Sequence, residues 1–146
     1  MTPTTLITKP AEQPIPTAIT EVIVCTTCRP AGASRELPAA GELLLEAGQA
    51  AQFDDDTGAW AQVRVRGMAC LSSCLRACSV AFQAPGKHTF VFGDLQPDAE
   101  TARHVLECGA MHARASDGIL HRNERPERLK SGIVARLPPF GVNPEG

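Results

Sequence analysis

Four stretches of the chain carry the hydrophobic pattern of β-strands. The β-branched run Glu21-Val-Ile-Val24 is typical of a short buried strand. Ala61-Gln-Val-Arg-Val-Arg66 alternates strictly, with its valines on one face and its polar side chains on the other, and therefore predicts a half-buried strand. Residues 79–83 and 88–92 flank Ala84-Pro-Gly-Lys87, where proline and glycine suit the central positions of a tight turn. These last two segments predict a hairpin.

Two longer stretches have the spacing of amphipathic helices. In residues 39–53, good helix formers accompany apolar side chains that fall near one helical face: Leu43, Leu44, Ala47, Ala50 and Ala51. The acidic triplet Asp54-Asp-Asp56 and Gly58 then end this helix, and we expect a solvated turn there rather than a cation site. Pro97 and Asp98 can begin a second helix, which we expect to end near Ala113.

The order of these elements is strand, helix, strand, cysteine-rich loop, strand pair and helix. It predicts an α/β two-layer domain with a mixed sheet, in which a crossover through the first helix makes the first two strands neighbours. Residues 1–18 contain four prolines and no apolar periodicity, and are predicted to be a disordered leader. The domain is assigned to residues 19–115. Residues 116–146 are expected to form an extended C-terminal arm, laid over the domain or used for docking.

The charge pattern argues against two kinds of partner. The chain of 146 residues carries 14 basic and 16 acidic side chains without a basic stripe, so we expect neither nucleic-acid binding nor membrane attachment. No apolar segment has the length of a signal or a membrane span, which predicts a cytoplasmic protein.

In that reducing compartment, six cysteines are more naturally used for metal binding or thiol chemistry than for disulfides. No convincing catalytic acid or base accompanies the thiols, so enzymatic turnover is not expected.

Five of the six cysteines lie in two short stretches, one after each of the first two predicted strands: Cys25 and Cys28, then Cys70, Cys74 and Cys78. If these strands are neighbours, both loops leave the same edge of the sheet and the five thiols converge. Four thiolates suffice for a tetrahedral zinc ion or for a [2Fe-2S] or [4Fe-4S] cluster. The sequence therefore predicts a metal or redox centre at this edge.

Several cysteines and histidines have a simpler structural interpretation. Residues 70, 74 and 78 also fall on one face of a helix, where they would be small buried side chains. Cys108 stands alone inside the second predicted helix and is assigned to the core. The four histidines are isolated in sequence and are assigned to surface or hairpin positions rather than to metal ligation: His88, His104, His112 and His121.

Three stretches carry a family resemblance: Val24-Cys-Thr-Thr-Cys-Arg29, Cys70-Leu-Ser-Ser-Cys-Leu-Arg-Ala-Cys-Ser-Val-Ala-Phe-Gln-Ala-Pro-Gly-Lys87 and Thr89-Phe-Val-Phe-Gly-Asp-Leu95. Together they resemble a bacterial family of predicted metal-binding proteins of unassigned function, whose members often lie near cobalamin-synthesis or cobalt-handling genes. That family in turn resembles the thioredoxin-like [2Fe-2S] ferredoxins. The resemblance spans roughly residues 20–140 and implies a thioredoxin-like fold with the cysteine loops at one sheet edge.

The resemblance also implies roles for individual cysteines. Cys25 takes the place of the first cluster ligand, and Cys70 and Cys74 match the Cys-x-x-x-Cys pair of those ferredoxins. Those ferredoxins usually place their second ligand several residues further along the loop, whereas this chain has only the earlier Cys28. Cys78 falls where they carry a proline at the start of the next strand. The implied set is Cys25, Cys28, Cys70 and Cys74, with Cys28 and Cys78 as alternatives for one position.

Three functions compete on this basis. The first is a [2Fe-2S] ferredoxin-like electron carrier with a redox partner protein, linked through the resemblance to cobalamin or cobalt metabolism. The second is a protein that handles zinc, cobalt or another thiophilic ion. The third is a thiol-disulfide oxidoreductase, which the absence of a Trp-Cys-Gly-Pro-Cys loop disfavours. In the first case, neighbouring polar side chains would moderate the charge of the cluster: Ser72, Ser73, Thr26, Thr27, Arg29 and Arg76.

Overall fold

The computed structural model describes residues 19–30, 32–72 and 76–141. The predicted leader, residues 1–18, and Cys74 lie outside these ranges. The described chain folds into strands and two long helices in this order: β1 (Thr20–Cys25), α1 (Ala40–Phe53), β2 (Val63–Met68), β3 (Val80–Gln83), β4 (Thr89–Phe92), α2 (Ala99–Arg114) and β5 (Ile133–Leu137). Two short 3-10 helices, Arg122–Glu124 and Glu127–Leu129, lie between α2 and β5.

One mixed sheet organises these elements, with its five strands in the order β2-β1-β3-β4-β5. β1 and β2 are parallel neighbours, and the other neighbouring pairs are antiparallel. A parallel pair needs a long crossover connection, which α1 and its flanking loops supply. The predicted α/β class, the mixed sheet and the adjacency of the first two strands are confirmed.

The core lies between one face of the sheet and the helices. Val22, Phe82 and Phe92 project into it and are 0 % exposed. Phe82 meets Phe92 edge to face, with 5.8 Å between the ring centroids. Cys108 of α2 belongs to the same cluster, which confirms its assignment to the core. Burial raises the pKa of the Cys108 thiol to about 12, so it stays protonated and packs as a small apolar side chain.

The buried face of α1 differs from the predicted one. Leu44 is buried beside Gly41 and Gly48, whereas Leu43 is 40 % exposed and Ala50 is exposed as well. The prediction was wrong for Leu43 and Ala50 because a hydrophobic pattern does not identify glycines as the points where a helix lies closest to its neighbours.

Within the described residues, no helix is long and apolar enough to cross a membrane.

The C-terminal segment contributes a strand that the hydrophobic pattern did not predict. β5 pairs antiparallel with β4 and forms an edge of the sheet. Four of its five residues are exposed, so the strand lacks the alternation of buried and exposed positions that marks a half-buried strand. The N–H of Gly93, directly after β4, donates to the carbonyl of Gly132, directly before β5, at 2.8 Å and so extends the pairing of the two strands. Part of the predicted arm is therefore a strand of the sheet.

His112 lies in the core, so its assignment to the surface was wrong. Its Nε2 is 2.7 Å from the carbonyl oxygen of His88, which can only accept, so Nε2 carries the proton. Nδ1 then accepts a hydrogen bond from the hydroxyl of Thr20 at 2.7 Å. Burial is the main cause that lowers the pKa of His112. A neutral imidazole thus ties α2 to β1 and to the start of β4.

The buried imidazole predicts a pH-dependent stability. Because the pKa of His112 in the folded state lies below its unfolded value of about 6.5, the unfolded state binds more protons in mildly acidic solution. The free energy of unfolding should therefore fall as the pH drops below about 6.5. His112→Gln should reduce this pH dependence and cost about 1–3 kcal/mol through the loss of buried hydrogen bonds. Urea unfolding at several pH values measures both effects.

The exposed His121 offers a matched control. His121→Gln should keep the stability and the pH dependence of the wild-type protein. An identical pH dependence in wild type and His112→Gln would contradict the interpretation.

Candidate metal centre

β1 and β2 end side by side at one edge of the sheet. Cys25 and Met68 are partners in the parallel register. Thr26 donates its N–H and its hydroxyl to the carbonyl of Met68, at 2.8 and 3.2 Å. The hydroxyl of Thr27 donates to the carbonyl of Ala69. The two cysteine loops therefore leave the same edge, as the sequence predicts, and are joined there by hydrogen bonds.

Cys25 and Cys28 form a buried pair at this edge, 1 % and 3 % exposed. Burial opposes ionisation of Cys25, but hydrogen bonds from the Cys28 thiol and from the backbone of Leu71 and Thr27 outweigh it and lower the pKa of Cys25. Burial raises the pKa of Cys28, and its hydrogen bond to Cys25 raises it further. Cys25 is therefore the thiol of the pair that ionises first.

Cys78 lies beside this pair although it is distant in sequence. It is 1 % exposed, and burial together with the charges of Cys28 and Cys25 raises its pKa to about 12. The next residue, Ser79, is fully buried. Its carbonyl accepts the N–H of Cys25 at 3.1 Å, and its hydroxyl lies 3.5 Å from the Sγ of Cys28. The sequence interpretation missed Ser79. Its position directly after a clustered cysteine was the signal that could have identified it.

The N-terminus of α1 packs directly onto the turn that carries Cys25 and Cys28. The N–H of Gly41 donates to the carbonyl of Cys28 at 3.1 Å. A Cβ atom at position 41 would collide with the carbonyl oxygen of Cys25 and would lie 3.4 Å from the Cβ of Cys28. This close approach requires glycine. Gly41 is thus a second site residue that the sequence interpretation missed, since an isolated glycine near a helix start gives no specific signal.

Cys70 lies on the neighbouring loop and is exposed. Its Sγ accepts a hydrogen bond from the N–H of Ser72 at 3.2 Å. Residues 69–72 are not helical, so the interpretation of Cys70 as part of a buried helical face is wrong. Cys74 lies outside the described residues.

The arginines near the cysteines make structural contacts. The guanidinium of Arg29 donates to the carbonyls of Ser34 and Leu37 at 2.9 and 2.7 Å. That of Arg76 donates to the carboxylate of Asp94 at 2.8 Å. These hydrogen bonds fix the loops around the site and do not reach a cysteine sulfur.

The described residues do not contain a preassembled metal site. Within them, no three histidine, cysteine or carboxylate side chains come together closely enough to hold an ion. Cys25 and Cys28 are adjacent, and Cys78 lies near both. Cys70 is on the adjoining loop.

Comparison with known proteins identifies the family. A family model described as a protein of unknown function, DUF1636, matches residues 22–139. The chain belongs to DUF1636. The matched range contains all six cysteines and β5. No curated protein matches this DUF1636 chain.

Among solved structures, the DUF1636 chain is similar to a thioredoxin-like [2Fe-2S] ferredoxin from Aquifex aeolicus. The sequence identity is 16 % and the TM-score is 0.52. The similarity covers 86 % of this chain and 98 % of the ferredoxin. At this identity it concerns the fold, and it confirms the predicted thioredoxin-like class.

Gly41→Ala tests the packing of α1 against the cysteine turn. The added methyl group has to displace the carbonyl of Cys25, so we expect a loss of about 1–3 kcal/mol in the free energy of unfolding. Gly48→Ala in the same helix is the matched control, because the nearest atom to its added Cβ is in Val65, at 3.9 Å. That variant should be as stable as wild type or gain up to about 1 kcal/mol from helix propensity. Urea unfolding compares them, and equal stabilities would contradict the close packing.

Proposed function

We propose that this DUF1636 protein is a ferredoxin-like electron carrier that holds a [2Fe-2S] cluster through Cys25, Cys28, Cys70 and Cys74. The observation that supports it most strongly is the parallel pairing of β1 with β2, which brings both cysteine loops to one sheet edge. The structural neighbour is itself a thioredoxin-like [2Fe-2S] ferredoxin, which supports this cluster type over others.

The donor set suits the chemistry of such a group. Iron–sulfur clusters are held by cysteine thiolates and are tuned by hydrogen bonds to sulfur and by exclusion of solvent. Cys25 is the more acidic thiol of a buried pair, and Cys70 accepts a backbone hydrogen bond. When bound, the cluster would supply a one-electron redox couple. The chain's own part is to hold it, to keep water from Cys25 and Cys28, and to stabilise charge on their sulfur atoms.

Among the described cysteines proposed as ligands, Cys70 is the one that lies away from the buried pair. It is exposed, whereas Cys25 and Cys28 are buried beside its loop. The N–H of Leu71 already hydrogen-bonds to the sulfur of Cys25, so the loop starts from a point next to the pair. A modest closure of this loop would add the Cys70 sulfur to the two that are adjacent. We therefore infer that metal binding moves the Cys70 sulfur toward Cys25 and Cys28.

One observation supports metal handling as the second candidate. Cys78 is close enough to Cys25 and Cys28 for their charges to raise its pKa. A fifth thiol beside a four-ligand site permits ligand exchange, which transfer of zinc or cobalt requires. A link to cobalamin or cobalt metabolism would fit this alternative as well as the first.

A different observation supports a thiol-disulfide oxidoreductase as the third candidate. The lowered pKa of Cys25 and the raised pKa of Cys28 are the division of roles that an attacking and a resolving thiol need. Cys28, however, is almost completely buried and lies against Ser79. We rank this function below the other two because a substrate disulfide has little access to the pair.

Metal analysis separates the three functions. Protein purified without oxygen, or reconstituted with iron and sulfide, should be brown and contain iron and acid-labile sulfide in equal amounts. A colourless protein that binds zinc or cobalt instead would favour metal handling. A colourless, metal-free protein that reduces a disulfide substrate would favour the oxidoreductase.

Single cysteine variants test the ligand assignment. Cys25→Ala, Cys70→Ala and Cys74→Ala should each abolish stable cluster binding, because a missing thiolate leaves an iron site open. Cys28→Ala should retain a cluster only partly and with an altered visible spectrum, since Cys78 can take its place. Cys78→Ala should keep the wild-type spectrum. Cys108→Ser is the control, with full iron content and a stability loss of about 1 kcal/mol. A wild-type spectrum in Cys70→Ala would contradict the assignment.

A further inference from the structure

Ser79 contacts both members of the buried cysteine pair. Its carbonyl accepts the N–H of Cys25 at 3.1 Å. Its hydroxyl lies 3.5 Å from the Sγ of Cys28, and its backbone N–H also hydrogen-bonds to that sulfur. The residue is 0 % exposed and stands directly before β3, whose pairing with β1 fixes its position. Ser79 thus holds the backbone of one cysteine and the sulfur of the other.

The hydroxyl of Ser79 has a defined direction in this arrangement. A buried hydroxyl needs a hydrogen-bond partner, and the partner that the described residues give it is the Cys28 sulfur. When Cys28 is a thiolate, its sulfur can only accept, so the hydroxyl must donate. Two donors of one residue, the hydroxyl and the N–H, therefore converge on the same sulfur.

We propose that Ser79 is a positioning residue that raises the reduction potential of the cluster by donating a hydrogen bond to Cys28. The inference rests on the proposed function. Reduction adds one electron, supplied by the external reductant, and makes or breaks no covalent bond. The added negative charge is shared by the ligand sulfurs, so a donor to sulfur stabilises the reduced state more than the oxidised one. Removing that donor should make reduction harder.

Ser79→Ala removes the hydroxyl and keeps the backbone N–H and carbonyl. We expect this variant to contain iron and sulfide at the wild-type level, and to have a more negative midpoint potential in an anaerobic titration with dithionite and redox dyes. Ser116→Ala, at an exposed position after α2, is the control and should keep the wild-type potential. Full iron content in Ser79→Ala with an unchanged potential would overturn the inference.

A pair of isosteric variants covers the case in which Ser79→Ala folds poorly. Ser79→Thr keeps the hydroxyl, whereas the valine of Ser79→Val has the shape of threonine but no hydroxyl. The potential of the Thr variant should exceed that of the Val variant, and equal potentials in two loaded proteins would overturn the role of the hydroxyl. Wild-type protein without iron or sulfide would instead contradict the proposed function, and the inference would fall with it.

Discussion

The parallel pairing of β1 with β2 is the constraint on which the candidate centre depends. Two parallel strands end at the same edge of a sheet, so Cys25 and Cys70 lie on neighbouring loops although they are distant in sequence. The hydrogen bonds from Thr26 and Thr27 to the chain after β2 extend the pairing into these loops. The crossover helix α1 begins at the same place, where the N–H of Gly41 donates a hydrogen bond to the carbonyl of Cys28. The helix that permits the parallel pairing therefore also closes over the first cysteine loop.

Hydrogen-bond donors, rather than exposure, distinguish the three buried thiols at this edge. Cys25, Cys28 and Cys78 are all nearly inaccessible to water, and burial alone would keep each of them protonated. Donors to the sulfur of Cys25 reverse this effect, whereas the pKa of Cys78 is raised to about 12. The charge that a metal needs from its ligands is thus available first at Cys25. The Cys28 sulfur also receives hydrogen bonds from Ser79, but burial and its hydrogen bond to Cys25 outweigh them and raise its pKa.

Much of the fold was predictable because burial on one side leaves a pattern in the sequence. The alternation before Met68 marked β2, and the helical spacing after Asp98 marked α2, whose first turn is capped by the carboxylate of Asp98 accepting the N–H of Thr101. β5 was not predictable from alternation because both of its faces are exposed. Its place depends on the edge that β4 offers.

The residues that the sequence interpretation missed or misplaced share a physical cause. His112 is buried because the hydroxyl of Thr20, 92 positions away in sequence, and a backbone carbonyl satisfy its ring. Gly41 and Ser79 matter through contacts with the cysteine turn that only the assembled sheet creates. Local spacing identified the thiols of Cys25 and Cys28 but carries no information on the groups that fold around them.

The fold also bears on which of Cys28 and Cys78 suits the fourth ligand position of the proposed cluster. The backbone N–H of Cys78 donates to the carbonyl of Leu95 at 3.2 Å, and the N–H of Leu95 donates to the carbonyl of Cys78 at 3.1 Å. The side chain of Cys78 belongs to the hydrophobic core cluster. Cys28 lies in a turn outside that cluster, between Gly41 and Ser79. A ligand has to adjust its sulfur to the fixed bond lengths of a metal centre. Cys78 can do so only by leaving its packing site, at a cost of the order of 1 kcal/mol or more, whereas Cys28 can turn toward Cys25 without opening the core. If the proposed cluster binds here, the local packing favours Cys28 over Cys78 as its fourth ligand.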